Sequence, residues 1–179
     1  MKKGLKPQAI LISLAPVLKI DKISALLDGF NRIVRMIPNA PSIIHQGYNP
    51  VVFGSEIEET KKTWLLNLFK YWGESPEVAE EKLEAYAIIT AMGPTYFWPQ
   101  WIKLQQLGTQ FGLDEAELKT ALSAMLTGAV NTLYYSGLPA EAVMDLIPVY
   151  PMKDDEQKIR KLFDNSLTAL YQKLTGAAK

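Results

Sequence analysis

The sequence predicts a mainly α protein with a small α/β part at its amino-terminal end. Two short β-branched runs, at residues 9–14 and 31–37, are each bounded by proline and separated by one helical stretch. From residue 79 onward, apolar residues recur at helical spacing almost to the end. Glycines and paired capping residues fall where those helical stretches start and stop.

Taken in order, residues 9–14 lie between Pro7 and Pro16 and read as a buried strand. Asp21 caps a short helix ending near Asp28, with Gly29 as its stop signal. Residues 31–37 form a second strand, closed by Pro38, and two strands joined by one helix favour parallel pairing. Residues 50–54 are a third short strand. Ser55 and Glu58 have capping-box spacing and open a helix that Gly73 ends. Residues 74–78 are a linker or a very short edge strand, and the domain boundary is placed there, dividing residues 1–74 from 75–179. The second part is all helix. Its segments are residues 79–90, residues 95–111 with Pro99 in the early turns, a helix capped by Asp114 and Glu117 that runs to about Tyr135, residues 140–147, and residues 153–174. Gly112 and Gly137 mark two of the stops. Ala121, Gly128 and Thr132 give one helix a small-residue face that another helix can approach closely.

Composition excludes several classes of function. The 179 residues are 48% hydrophobic, enough for a real core, and Lys+Arg and Asp+Glu number 19 each. No basic concentration tracks phosphates, so nucleic acid is not the expected partner. A formally neutral surface suits a protein that buries area against another chain. With no cysteine and one histidine, thiolate metal sites, thiol nucleophiles and multi-histidine centres are excluded; no metal is expected, and a reducing, cytoplasmic setting is. The charged start followed by the apolar run at 10–18 resembles a signal peptide, but Lys6-Pro7-Gln8 separates the two parts and no small-x-small site follows, so a strand is the preferred reading. No apolar run reaches the roughly 20 residues of a membrane helix.

Two short runs carry the chemistry. Gly93-Pro94 stands between two helical patterns; it is ordinarily a plain turn, but a helix starting at Thr95 also aims backbone donors and a positive dipole end at the preceding loop, where a carboxylate can sit. Pro38-Asn39-Ala40-Pro41 is a stiff turn in which Asn39 can bond its own backbone. It also follows a parallel strand, and ligands of open α/β sheets bind beyond such strand ends. His45 reads as structural, and Trp64, Trp72, Trp98 and Trp101 read as core or interface residues. The acids Asp154-Asp155-Glu156 complement a helix dipole. No G-x-G-x-x-G, G-x-x-x-x-G-K-[ST] or G-x-S-x-G occurs.

Ile12-Ser13-Leu14-Ala15, Arg32 to Pro41, Gln46-Gly47-Tyr48, the helix ending at Gly73, Thr90 to Tyr96, Phe111-Gly112-Leu113, Gly128-Ala129 and Ser136-Gly137 follow one another in an order and spacing that resemble the carboxyl-terminal portion of pyrroline-5-carboxylate reductases. The resemblance implies the end of a Rossmann domain followed by a helical domain that interlocks two subunits into a homodimer. It implies NADP or NAD as cofactor and hydride transfer to the imine carbon of pyrroline-5-carboxylate, giving proline. By the same resemblance Pro38, Asn39 and Ala40 lie near the nicotinamide, and Thr90, Met92, Gly93, Pro94 and Thr95 cradle the substrate carboxylate. The catalytic residue stays unassigned.

The chain departs from that pattern in three ways. The glycine-rich nucleotide loop is not encoded, leaving a truncated Rossmann-like remnant. Thr90-Ala91-Met92 replaces serine-glycine-serine, and Ala40 replaces threonine. Residues 147–152 stand where the family has a loop rich in serine, glycine and threonine. The expectation is the substrate-side and dimerisation half of an oxidoreductase, with NADP or NAD as its cofactor if it takes one, transferring no hydride alone, and paired if need be with a separate Rossmann-type chain. A non-catalytic helical interaction module is the alternative, and a piece of a longer reductase is a third reading.

Overall fold

The computed structural model describes residues 5, 6 and 8–176. Its elements run β1 (Leu11–Ser13), α1 (Ile20–Leu26), β2 (Ile33–Met36), β3 (Gly47–Tyr48), β4 (Val51–Phe53), α2 (Glu59–Phe69), β5 (Gly73–Glu74), α3 (Leu83–Tyr86), α4 (Gly93–Gln110), α5 (Glu115–Tyr135), α6 (Ala140–Met144) and α7 (Glu156–Thr175). The fold is therefore mainly α with a small α/β part. By compactness the chain divides into two units, Met1–Pro94 with Phe163–Lys179, and Thr95–Leu162.

In the first unit β1 pairs parallel with β2, matching Leu11 to Ile33, and β2 pairs antiparallel with β4, matching Arg35 to Val52. Alternation along β2 sends Val34 and Met36 to one face, where Val51, Ile57, Leu65 and Phe69 complete an apolar cluster against α2. Ile33 belongs to a cluster with Ile23 of α1 and its C-cap Leu27, and Ile37 to one with Val52, Leu83 and Ala87. Arg35 shares the alternation of Ile33 and Ile37 and is fully buried. A small second sheet pairs β3 with β5, and the strand-like course continues as Val51 donates to the Pro76 carbonyl and Val78 to that of Val51. The segment at 74–78 is thus the short-edge-strand alternative.

Several expected elements are corrected. The run at 9–14 is a strand only at Leu11–Ser13, and as the sheet edge it is half-buried rather than buried. Asp21 does not cap α1. It sits in the first turn, Lys19 is the N-cap, and Glu80 accepts the Ile20 N–H at 2.8 Å in place of a local cap. The Ser55–Glu58 box does not form. Residues 55–57 make a turn, Ile57 is buried with its N–H on the Gly54 carbonyl, and α2 starts after Glu58. Residues 79–90 are three successive pieces: a 3₁₀ turn at Glu80–Lys82, α3, and a π-helical turn at Ala87–Ala91. α6 ends at Met144, short of Ile147.

The second unit is built from α4, α5, α6 and the start of α7. The Asp114–Glu117 box forms as expected, each partner's side chain meeting the other's backbone N–H at 2.9 Å. Gly112 and Gly137 adopt left-handed backbone (φ 97° and 77°) where helices end. α4 and α5 meet where the Leu118 side chain presses on the bare Cα of Gly108, and Leu118 is buried. Leu133, Tyr134, Met144, Ile147, Val149 and Met152 stand exposed. Around Gly128 nothing lies within 4 Å of where a Cβ would be, so its small face is open. Trp64, Trp72 and Trp98 are exposed and do not serve as core. Among the described residues no helix is long and apolar enough to cross a membrane.

Candidate functional site

The turn after β2 and the helical segment before Gly93 meet. Pro38 ends the strand. Asn39 then takes extended backbone (φ −119°, ψ 164°) as the N-cap of a 3₁₀ turn at Ala40–Ile44, yet its side chain makes no cap bond to that turn. Instead its Oδ1 accepts the Tyr48 N–H at 3.1 Å, and its Nδ2 donates to the Thr90 carbonyl at 3.5 Å. The expectation of a self-bonded asparagine turn is corrected because β3 and the 87–91 segment offer these partners. Thr90 in turn donates from its hydroxyl to the Tyr86 carbonyl at 2.7 Å. The Tyr48 and Tyr86 rings lie 6.1 Å apart, and their side chains are hydrogen-bonded. Burial, then the neighbouring Tyr86, pushes the Tyr48 hydroxyl above its ordinary value, so it stays a neutral O–H group. Asn39, Tyr48, Tyr86 and Thr90 therefore form one closed ring of contacts.

Asn49 supports that ring from beneath. It is fully buried; its Oδ1 accepts from the Asn39 N–H at 3.1 Å and the Ser42 hydroxyl at 2.8 Å, and its Nδ2 donates to the Trp72 carbonyl at 3.4 Å. Every polar atom of its amide is used inside the protein, which is what a buried amide requires. Sequence reading missed Asn49 because its partners are spread over residues 39 to 72. Ala40 is exposed at the first position of the turn. His45 is exposed and left-handed (φ 62°), closing the turn with its Nδ1 donating to the Tyr71 carbonyl, a structural role as expected.

At the second run, α4 begins at Gly93, two residues earlier than Thr95. The π turn runs through Ala91, and the Met92 N–H donates to the Ala87 carbonyl at 3.0 Å, five residues back. Only Met92 separates the two helical stretches, so the preceding loop is a single residue. Gly93 is buried, while Thr90, Met92 and Pro94 are half-buried. Thr95 is exposed in the first turn of α4 and belongs to the second unit.

Beyond the ends of β1 and β2 opens an apolar slot of about 460 Å³, lined by Ile12, Leu14, Met36, Pro38, Ser42, Ile43 and Trp72. Its size and lining fit one flat ring; its single hydroxyl already donates to Asn49, and no cation lines it to meet a phosphate. Among the described residues no group of three or more His, Cys, Asp or Glu side chains could hold a metal ion.

No family model matches the chain. It is similar to pyrroline-5-carboxylate reductases of Staphylococcus aureus strain COL, at 24% identity over 127 residues, and of Staphylococcus saprophyticus, at 25% over 130; these stretches cover 71% and 73% of this chain but 47% and 48% of the relatives. The chain thus spans about half the length of the curated relatives it matches. Its fold is that of a solved Plasmodium falciparum pyrroline carboxylate reductase with NADP bound (TM-score 0.78, 22% identity, 95% of this chain and 71% of that one). It also matches the Streptococcus pyogenes 1-pyrroline-5-carboxylate reductase (TM-score 0.80, 15% identity, 97% and 70%). The resemblance read from the sequence is found in both comparisons.

Proposed function

We propose that this chain is the substrate-side and subunit-pairing half of an NAD(P)-dependent imine reductase of the pyrroline-5-carboxylate type. The single observation that carries the reading is the Asn39 side chain donating to the Thr90 carbonyl at 3.5 Å. It joins the strand-end turn to the segment leading into Gly93, so cofactor-side Asn39 and substrate-side Thr90 are neighbours within the first unit. Residues 1–74 stand for the end of a dinucleotide domain and 75–179 for the helical domain. Pro38, Asn39 and Ala40 border the nicotinamide. Thr90, Met92, Gly93, Pro94 and Thr95 border the substrate carboxylate. When bound, the nicotinamide supplies the hydride; the protein's own part is to hold the ring in the apolar slot and orient the imine beside it. This sequence contains no G-x-G-x-x-G of the kind that cradles dinucleotide phosphates. The chain alone therefore binds the ring end weakly and transfers no hydride. The setting is cytoplasmic.

The helical domain pairs two copies. In the second unit a groove of about 990 Å³ is lined by Leu133, Val143, Met144, Ile147, Val149 and Ile159 among others, and that apolar lining favours a covering chain. The same groove favours a second reading, a non-catalytic module that docks a separate partner. Titration with proline separates the two. Saturable protection against thermal unfolding supports the retained substrate site, and no shift at high proline concentration favours the module. NAD(P)H oxidation with pyrroline-5-carboxylate by the purified chain overturns the half-enzyme reading.

A further inference from the structure

Arg35 is a fully buried cation on a strand face otherwise given to Ile33 and Ile37. Its Nη1 meets Glu80 at 2.9 Å and its Nη2 meets Glu84 at 2.8 Å, while its Nε is buried without a partner. The same two carboxylate oxygens do a second job. Glu80 Oε1 accepts the Ile20 N–H at 2.8 Å, and Glu84 Oε1 accepts the Val17 N–H at 3.3 Å. A charge network centred on the buried guanidinium therefore holds two backbone amides, one in the segment between β1 and α1 and one at the first residue of α1.

That segment is strained. Val17 has φ 73°, a left-handed conformation that β-branched residues avoid. Val17 is 44% exposed, so burial of the residue does not repay the conformation. Such a backbone persists only where its surroundings over-determine it. The surroundings in question are the hydrogen bonds to Glu84 and, three residues on, to Glu80. Leu14, at the start of this segment, walls the apolar slot together with Ile12.

We propose that Arg35, Glu80 and Glu84 act as a clamp on residues 14–20, and that they are positioning residues for the slot beyond the strand ends. Arg35 does not reach the ligand; it fixes two carboxylates, they fix two amides, and those set the Leu14 wall. The ligand side of this inference rests on the nicotinamide reading given above.

The test is a double-mutant cycle in the full chain between Glu84→Gln and Val17→Gly. Glycine adopts the left-handed backbone without strain, so a clamp that works against Val17 becomes dispensable in the Val17→Gly background. Amide hydrogen exchange is read at Val17 and Ile20, with Val34 and Met36 as internal standards for global opening. The expected result is about a tenfold acceleration at Val17 in Glu84→Gln, with little change at Val34, shrinking to under about threefold when Val17→Gly is also present. Affinity for reduced nicotinamide mononucleotide, followed at the Leu14 methyls, falls roughly fivefold in Glu84→Gln and recovers in the double variant. Acceleration shared equally by Val17 and Val34, or the same loss in both backgrounds, overturns the clamp and leaves a merely structural ion pair. A wild-type chain that fails to bind the mononucleotide sinks the nicotinamide reading instead, and the exchange cycle still decides the clamp.

Discussion

The two units of this chain solve burial in opposite ways. The first surrounds a small sheet with three apolar clusters and leaves β2 wholly inaccessible. The second consists of well-formed amphipathic helices, yet Leu118 is its one buried hydrophobic residue among those described. Helix formation and helix burial are separate events. Capping and periodicity make the helices, while most helical stability in a folded protein comes from packing an apolar face. The first unit finds its packing within itself. In the second the faces are made and left uncovered, which is the physical ground for the proposed pairing of two copies.

That contrast predicts how the units respond to truncation of a large side chain. Phe69→Ala, at a fully buried position, should cost about 3–5 kcal/mol in urea unfolding at any protein concentration. Leu133→Ala, at a position 40% exposed, should leave unfolding at high dilution nearly unchanged and lower the associated fraction seen by light scattering at micromolar concentration. An equal, concentration-independent loss in both variants breaks the comparison. Asp114→Ala is a smaller change. It removes the capping box of α5 and should cost about 1 kcal/mol, seen as reduced helicity that association partly restores.

The smallest effect is in pH and lies within the first unit. Tyr48 is raised above its ordinary value by burial and then by Tyr86, so the folded state holds the proton longer than the unfolded state does. The stability this contributes is fully present below the unfolded-state value of about 10 and is lost as pH rises through the folded-state value. Tyr48→Phe should flatten the alkaline decline in unfolding midpoint; an unchanged decline assigns it elsewhere.

Local signals were legible in the sequence and long-range ones were not. The β-branched run at residues 31–37, closed by Pro38, announced β2, and Asp114 with Glu117 announced α5, because in both cases the deciding signals are a few residues apart. Ser55 with Glu58 had the same spacing and failed. There the burial of Ile57 outweighed a surface cap worth about 1 kcal/mol. Pro38-Asn39 and Thr90 to Thr95 were picked out separately, but nothing in the sequence said that Asn39 would touch Thr90, 51 positions away. Arg35, Glu80 and Glu84 were illegible as a group for the same reason. Their separations of 45 and 49 residues leave no periodic trace, and a charged residue inside a strand pattern reads as one that faces water.

At the junction of β3 and β5, Gly47 and Gly73 lie back to back. A methyl group on Gly47 would land 2.5 Å from the Trp72 carbonyl oxygen and 2.7 Å from the Asn49 amide nitrogen, and one on Gly73 would strike the Gly47 backbone. Asn49 is the post on which Asn39 and Ser42 hang. An alanine at residue 47 would thus be felt first as misalignment of the proline-flanked corner, before any loss of overall stability. These two bare positions work as a rivet, and the tolerance of the whole proline-flanked corner is set by the width of a hydrogen atom.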